Sequence, residues 1–361
     1  MKKAVSTLVA LFMAFVLVAC SAGSTNVPAE TAAAAAPGGS KTATPADKPA
    51  EEAGRTPITL KISTAAADSE THVQALYQFK KQVEENADWI TVEVYPSATL
   101  FAQDANIDAM MRGNLEMCLT SSSWLAEYVP SLNMFAAPYL FKDYEHMSAV
   151  LNGEIGKELF ESVANEIGVR VIGVFYIGSR TINLTEDKEV TGRADLKGVQ
   201  LRVPNSASWI YMCTALGADP IPMALSETYL GLQTGAVDGQ DNPLPATMSN
   251  GFGEVTKSIT MTNHIVDQVW LAISEEVWAK MDDQSREVVS AAAQAAREFC
   301  DTSNLEKIET LIPEFEAMGV TVYRPDVSAF RQEVMDYQWA DTEQSGEWDA
   351  DLFNKIQELA S

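Results

Sequence analysis

Positive charge is scarce in this sequence. Its 361 residues include 25 lysines and arginines against 50 aspartates and glutamates, a formal charge of −25. That sign is unsuited to nucleic acid, whose phosphates call for the opposite charge. It does not exclude a small anion, because exposed charges beyond about 8–10 Å are largely screened and a few pocket arginines can prevail. Cysteine is sparse too: Cys20, Cys118, Cys213 and Cys300 have unpatterned spacing, so no disulfide framework or cysteine metal site follows. The last three read most simply as small buried apolar residues. The histidines, His72, His146 and His264, are far apart and no pair has ligand spacing. No phosphate loop, nucleophile elbow or internal repeat is present, so nothing marks a cofactor, a resident metal or an enzyme.

The one long apolar run begins at Leu8 and ends at Ala19, after a basic start at Lys2 and Lys3. It is short for a membrane span and reads as the apolar region of a signal peptide over residues 1–19. Leu17-Val18-Ala19-Cys20 looks like a bacterial lipobox, which implies cleavage before Cys20 and lipidation of its thiol. Residues 20–56 are rich in alanine, proline, glycine, serine and threonine without hydrophobic periodicity, the composition of a flexible spacer.

From residue 57 the pattern changes. Ile58 to Ser63 alternates as a strand, Glu70 to Glu85 carries Val73, Leu76, Phe79 and Val83 at helical spacing, and Ile90 to Tyr95 is a second strand. Asp104 to Arg112 reads as a helix and Leu115 to Leu119 as a third strand. This β-α-β-α-β order predicts a mainly parallel sheet with helices on its faces. Tyr144 to Val150 and Glu154 to Ile167 are helical, and Val169 to Tyr176 is an apolar strand ending at Ile177-Gly178-Ser179-Arg180. Ile265 to Ser274 is another strand. Glu275 to about Glu316 is helix-rich, with Pro313 as its first firm breaker.

The most informative stretch runs from Leu196 to Pro245. Val199 to Val203 reads as a strand ended by Pro204, and Asn205 or Ser206 caps a helix that stops at Gly217. Asp219 to Met223 is proline-rich and suits an edge strand or loop. A helix from Ser226 closes near Gly235, and Ala236 to Gly239 returns as a short strand or turn. Arg202 stands out, a guanidinium inside an apolar strand where that strand meets a helix N-terminus. Ligands bind outside the carboxyl ends of strands in open α/β sheets, and a guanidinium there is suited to grip a carboxylate through two parallel bonds. A salt-bridged arginine on an edge strand is the plainer alternative.

The same stretch resembles the solute-binding proteins of TRAP transporters, the DctP family. The resemblance rests on Lys197-Gly198, Arg202-Val203-Pro204, Ala215 to Met223, Ser226 to Thr234 and Val237 to Pro243, and extends over roughly residues 57–340. It implies a two-lobe α/β fold of the type II periplasmic-binding-protein kind, with hinge strands and a long helix spanning both lobes. The first lobe would take residues 57–178 and about 268–307; the second, 179–267 and about 308–361. It further implies a receptor that closes on a small-molecule carboxylate and delivers it to a membrane permease, extracytoplasmic and tethered through Cys20. Arg202 would pair with the carboxylate, Arg180 would add a charged contact, and Asn242, Asn205 and Ser206 would add neutral ones. Arg180 could instead be an ion pair at the hinge. From the first lobe, Gln103, Thr120, Ser121 and Ala65 stand at ligand-facing positions, and Leu225 forms an apolar wall. Relatives that bind sialic acid have phenylalanine at the position of Leu225 and acidic residues at those of Gln103 and Ser121. Their absence favours another organic or sugar acid. Trp124 and Trp209 belong either to the cleft or to the core. A sensory binding protein and an extracytoplasmic enzyme are the alternatives; the sequence offers the latter no nucleophile or cofactor fingerprint.

Overall fold

A computed structural model describes residues 55–341 and 348–360. Its first three strands are β1 (Ile58–Ser63), β2 (Ile90–Tyr95) and β3 (Met117–Thr120). β1 is parallel to both β2 and β3, so each connection must cross a face of the sheet. α1 (Thr71–Asn86) makes the first crossing; its Val73 is wholly buried, and its Leu76, Phe79 and Val83 are buried in one cluster with Leu60 and Ile62 of β1. Burying apolar side chains of that size contributes roughly 1.5–3 kcal/mol each, which holds the helix to the sheet. The second crossing carries a 3-10 turn, Gln103–Ala105, and α2 (Asn106–Met111).

After α3 (Ser122–Leu125), α4 (Tyr144–Leu151) and α5 (Glu154–Ile167) comes β4 (Val169–Leu184), which runs well past the end expected at Tyr176. It continues because it changes partners. Its residues Val169 to Ser179 pair antiparallel with β9 (Val266–Ser274), and Arg180 to Leu184 pair antiparallel with β7 (Gly239–Pro243). A register shift between Tyr176 and Gly178 precedes the exchange. Gly178 has a φ of +113°, and a Cβ there would lie 2.8 Å from that of Pro243, so glycine is required.

Between these strands lie β5 (Gln200–Val203), α6 (Ala207–Leu216), β6 (Asp219–Pro222) and α7 (Leu225–Thr234). α8 (Leu244–Ser249) and β8 (Ser258–Thr260) follow β7. The sheet order is β2-β1-β3-β9-β4-β7-β5-β6, with β8 also on β4. The proline-rich β6 takes the edge, as its missing N–H groups require. β4 and β9 are antiparallel to their neighbours, so the sheet is mixed rather than mainly parallel: these two strands pass between the lobes in opposite directions. The short strand or turn expected at Ala236 to Gly239 is a strand that lies later, at Gly239–Pro243, where its polar residues are buried and paired.

α9 (Glu275–Lys280) leads into α10 (Asp283–Ala317), which spans 35 residues and contains Pro313 without breaking there. Pro313 forfeits one helical hydrogen bond close to the C-terminus, where little helix remains to be disturbed. Val289, Ala292, Ala293 and Ala296 of α10 pack in the core behind β1, whereas Leu311, Ile312 and Phe315 pack with Leu244 and Ile259 of the second lobe. The helix thus lies across both lobes. The tail, assigned from the sequence to the second lobe, divides after β10 (Thr321–Tyr323). α11 (Ser328–Ala340) buries Phe330 and Val334 beside Leu201 and Trp209, whereas α12 (Ala350–Glu358) buries Ile356 with Phe141 and Met147 of the first.

Candidate functional site

The carboxyl ends of β1 and β3 face those of β5 and β6 across a cleft. Its outer part, about 530 Å³, is bounded by Ala65, Gln103, Trp124, Arg202, Asn205 and Leu225 among others. Its inner end, about 100 Å³, adds Thr120, Ser121, Arg180, Trp209 and Asn242. The combined size is that of an ordinary small-molecule site.

Arg202 belongs to both parts. β5 carries it between Ile221 of β6 and Gln240 of β7, and it is 1% exposed. Its Nε and Nη2 both donate to the Met223 carbonyl, at 3.0 and 2.8 Å. Among the described residues it has no carboxylate within ion-pair distance. Burial, with help from the like charge of Arg180, pushes its pKa down to about 10, against a partial pull from Asp241. The guanidinium stays charged at neutral pH, so a buried cation stands at the cleft with neutral protein ligands only.

Arg180 is as deeply buried and differently placed. Its Nε donates to Asp241 Oδ2 at 2.6 Å, Nη1 to Asp267 Oδ2 at 2.5 Å, and Nη2 to the Asp241 carbonyl and to Asn242 Oδ1. Its guanidinium carbon stands 4.4 Å from the Trp209 ring centroid. Burial opposes its charge, but Asp241 and Asp267 together raise its pKa. Burial also opposes the charge on Asp241, yet Arg180 and the hydrogen bond from His264 hold that carboxyl below the usual range. Asp267 has only Arg180 and its neighbour's N–H to set against burial, which pushes it up. One guanidinium therefore serves two aspartates and has no charge to spare.

The other expected residues are placed as follows. Gln103 and Leu225 are half-buried and line both parts; Asn205 is exposed and, like Ala65, lines the outer part. Thr120 and Ser121 line the inner end, where Ser121 Oγ is 2.7 Å from Ser123 Oγ. Asn242 is buried, donating to Gln240 Oε1 and accepting from Arg180. Ser206 is buried at the start of α6, its Oγ unpartnered, and does not bound the cleft. Both tryptophans are buried and line the inner end. Cys20 lies outside the described residues. Cys118, Cys213 and Cys300 are buried and free.

Sequence reasoning missed Glu70, His72, Asn250, Asp267 and Gln268, all of which line the inner end. The signal for two of them was available: Asp267 and Gln268 interrupt the apolar strand VDQVWLAIS as Arg202 interrupts its own. Among the described residues no group of three His, Cys, Asp or Glu is arranged to hold a metal.

Two α/β lobes joined by exchanged strands, with a charged cleft between them, are the architecture of a hinged binding protein. The sequence matches the family described as bacterial extracellular solute-binding protein, family 7, over residues 62–344. It is 34% identical over 280 residues to a solute-binding protein of Roseobacter denitrificans, covering 77% of this chain and 85% of that one. It is 30% identical to the sialic acid-binding periplasmic protein of Vibrio cholerae, covering 76% and 85%. A crystal structure of a TRAP periplasmic solute-binding protein from R. denitrificans, bound to 3-deoxy-D-manno-oct-2-ulosonic acid, superposes with a TM-score of 0.80 at 37% identity, covering 84% and 99%. The chain belongs to this family, the DctP solute-binding proteins of TRAP transporters. It is an extracytoplasmic solute receptor.

Proposed function

We propose that the receptor captures a polyhydroxylated monocarboxylate, a sugar acid, and delivers it to a TRAP permease. The observation that carries the reading is Arg202, a buried guanidinium at the cleft with no carboxylate partner among the described residues. An arriving carboxylate supplies the missing counter-charge through charge-assisted bonds in a site already dehydrated. Gln103, Thr120 and Ser121 from the first lobe, with Asn205 and Asn242 from the second, supply neutral partners. Leu225 and Trp124 give the carbon skeleton an apolar wall, while Ala65 leaves it room.

A single carboxylate is favoured because the second arginine is already neutralised by Asp241 and Asp267. The relatives fit: one R. denitrificans structure holds the ulosonic acid, and another, at 31% identity, holds L-galactonate. The C4-dicarboxylate-binding protein of Rhodobacter capsulatus is more distant, at 27%. Contacts from both lobes to one ligand favour the closed form, with the strand exchange around Gly178 as hinge. The same exchange supports a lobe divide at residues 178 and 179. The lipobox supports a lipid anchor at Cys20, which labelling with a fatty acid tests: incorporation lost in Cys20→Ser sustains it.

Thermal unfolding against mono-, di- and sugar carboxylates tests the ligand. A ligand that binds only the folded state adds about 2.7 kcal/mol at a hundredfold excess over Kd. A shift with one or more sugar acids, abolished in Arg202→Met, is the expected result. A shift that survives the substitution overturns the arginine anchor.

A further inference from the structure

At the inner end of the cleft, Gln268 is 3% exposed and its Oε1 has no hydrogen-bond partner among the described residues. Buried amides are ordinarily paired, so one left open beside a ligand cleft points to a partner that arrives. Its position is fixed by sheet register. On β9, Trp270 stands opposite Thr120, the last residue of β3, so Gln268 lies just beyond the carboxyl end of that strand. It is held from the other side by β4, where it stands opposite Tyr176. Thr64, directly after β1, reaches the same place, and so do Glu70 and His72 at the start of α1.

Those neighbours are acceptors and neutral donors. Glu70 Oε1 accepts from the Ala67 N–H at 3.2 Å and from Asn250 Nδ2 of the opposite lobe at 3.0 Å, which fixes the carboxylate in place. Its Oε2 is 3.6 Å from His72 Nε2, and burial keeps that imidazole neutral by lowering its pKa. Arg202 also lines this end but is taken up by the ligand's head, and Arg180, the other cation here, has its donors engaged by Asp241, Asp267 and Asn242. A second carboxylate would meet Glu70 with no free cation to offset it. A hydroxyl both donates and accepts, and so does an amide. The inner space of about 100 Å³ is room for roughly three groups of water size.

We propose that Gln268, with Glu70 and His72, forms a second recognition pole that reads hydroxyl groups on the ligand's tail while Arg202 holds its head. The inference rests on the carboxylate reading above and assigns the selectivity to residues on β9 and α1.

Calorimetric titration of the purified protein and its Gln268→Leu and Glu70→Gln variants tests it, with L-galactonate and 3-deoxy-D-manno-octulosonate as polyhydroxylated probes. Hexanoate and succinate serve as carboxylates without hydroxyls, and the melting temperature of each ligand-free variant reports folding. The expected result is a loss of about tenfold or more for the polyhydroxylated probes in Gln268→Leu, with a smaller loss in Glu70→Gln, which keeps an acceptor. The ratio of their affinity to that of hexanoate should fall accordingly, a change that general loosening of the fold would not produce. Galactonate and octulosonate bound equally by wild type and Gln268→Leu, while Arg202→Met abolishes both, overturns the second pole and leaves the carboxylate anchor standing. Succinate bound as tightly as the polyhydroxylated probes also overturns it. Wild-type protein that binds none of the four overturns the carboxylate reading and the pole with it.

Discussion

Arg180 on β4 and Arg202 on β5 are both buried at the cleft, yet their neighbourhoods differ in charge. Arg180 is held by Asp241 and Asp267, with its face 4.4 Å from Trp209. Arg202 has a single backbone carbonyl. A buried cation that is already matched fastens the structure around it, whereas one without a counter-ion is a standing cost relieved only by an anion. Burial alone therefore does not identify a ligand-binding arginine; the absence of a carboxylate partner does. By this criterion Arg180 is a fastening at the strand exchange, and Arg202 is the anchor we propose.

The sharpest way to break that contrast is to remove each cation in turn. Arg180→Met leaves Asp241 and Asp267 buried without their shared partner, and breaking such a cluster costs about 3–5 kcal/mol. Urea unfolding of the ligand-free protein should show a loss of that size. Undiminished stability together with lost ligand binding would invert the two roles. Arg202→Met should do the reverse. The carboxylate it served is left unmatched, at a cost to binding of about 2–5 kcal/mol, while the ligand-free protein melts at an equal or higher temperature because an unpaired buried charge has gone. A large drop in the ligand-free melting temperature would count against the anchor.

Gly178 sharpens the contrast by disturbing Arg180 without touching a charge. It adopts a φ of +113° two residues before Arg180, and an added methyl would meet Pro243 at 2.8 Å, with Pro245 and Ile308 close behind. Gly178→Ala should cost about 1–3 kcal/mol in unfolding free energy. Because the strand exchange carries Arg180 and not Arg202, ligand affinity should fall less than stability. The same titrations measure both.

The sequence made some of this legible and hid the rest for physical reasons. β1, α1 and β2 announce themselves because one face of each is buried, so apolar residues recur with the period of the element. Arg202 was visible as a charge in an apolar strand. β7 was visible only as a short strand or turn ending at Gly239, because Gln240, Asp241 and Asn242 are strand residues with a loop's composition, buried because they bond to one another and to Arg180. The far end of β4 was hidden by Gly178, which reads locally as a stop and serves as a bulge between two partners. Whether Arg180 is free or neutralised depends on Asp241 and Asp267, which lie 61 and 87 residues further along the chain. No local pattern carries that. The same limit concealed Glu70, and it left Gln268 visible only as a polar break in an apolar strand until the ends of β1, β3 and β9 are brought together.

The smallest expected effect lies behind the exchange, on α10. Tyr176, where β4 begins its register shift, has both backbone groups gripped by that helix: its N–H donates to Asp301 Oδ1 at 2.7 Å and its carbonyl accepts from Asn304 Nδ2 at 2.8 Å. Burial raises the Asp301 pKa from its ordinary 3.8 to about 6, although the Tyr176 N–H and the Tyr144 hydroxyl both favour the charged form. The folded state thus holds this proton more tightly than the unfolded chain does. Its contribution to stability is fully present below pH 3.8 and is lost as pH rises through about 6. Asn at 301 keeps an acceptor for the Tyr176 N–H and removes the titration. The stability of Asp301→Asn relative to wild type should therefore climb between about pH 4 and pH 6 and level off above. Urea unfolding of both proteins at intervals across that range measures the difference, in which the other titrating groups cancel. A flat difference would mean that Asp301 titrates alike in the folded and unfolded chains, and that α10 holds the exchange without a buried proton.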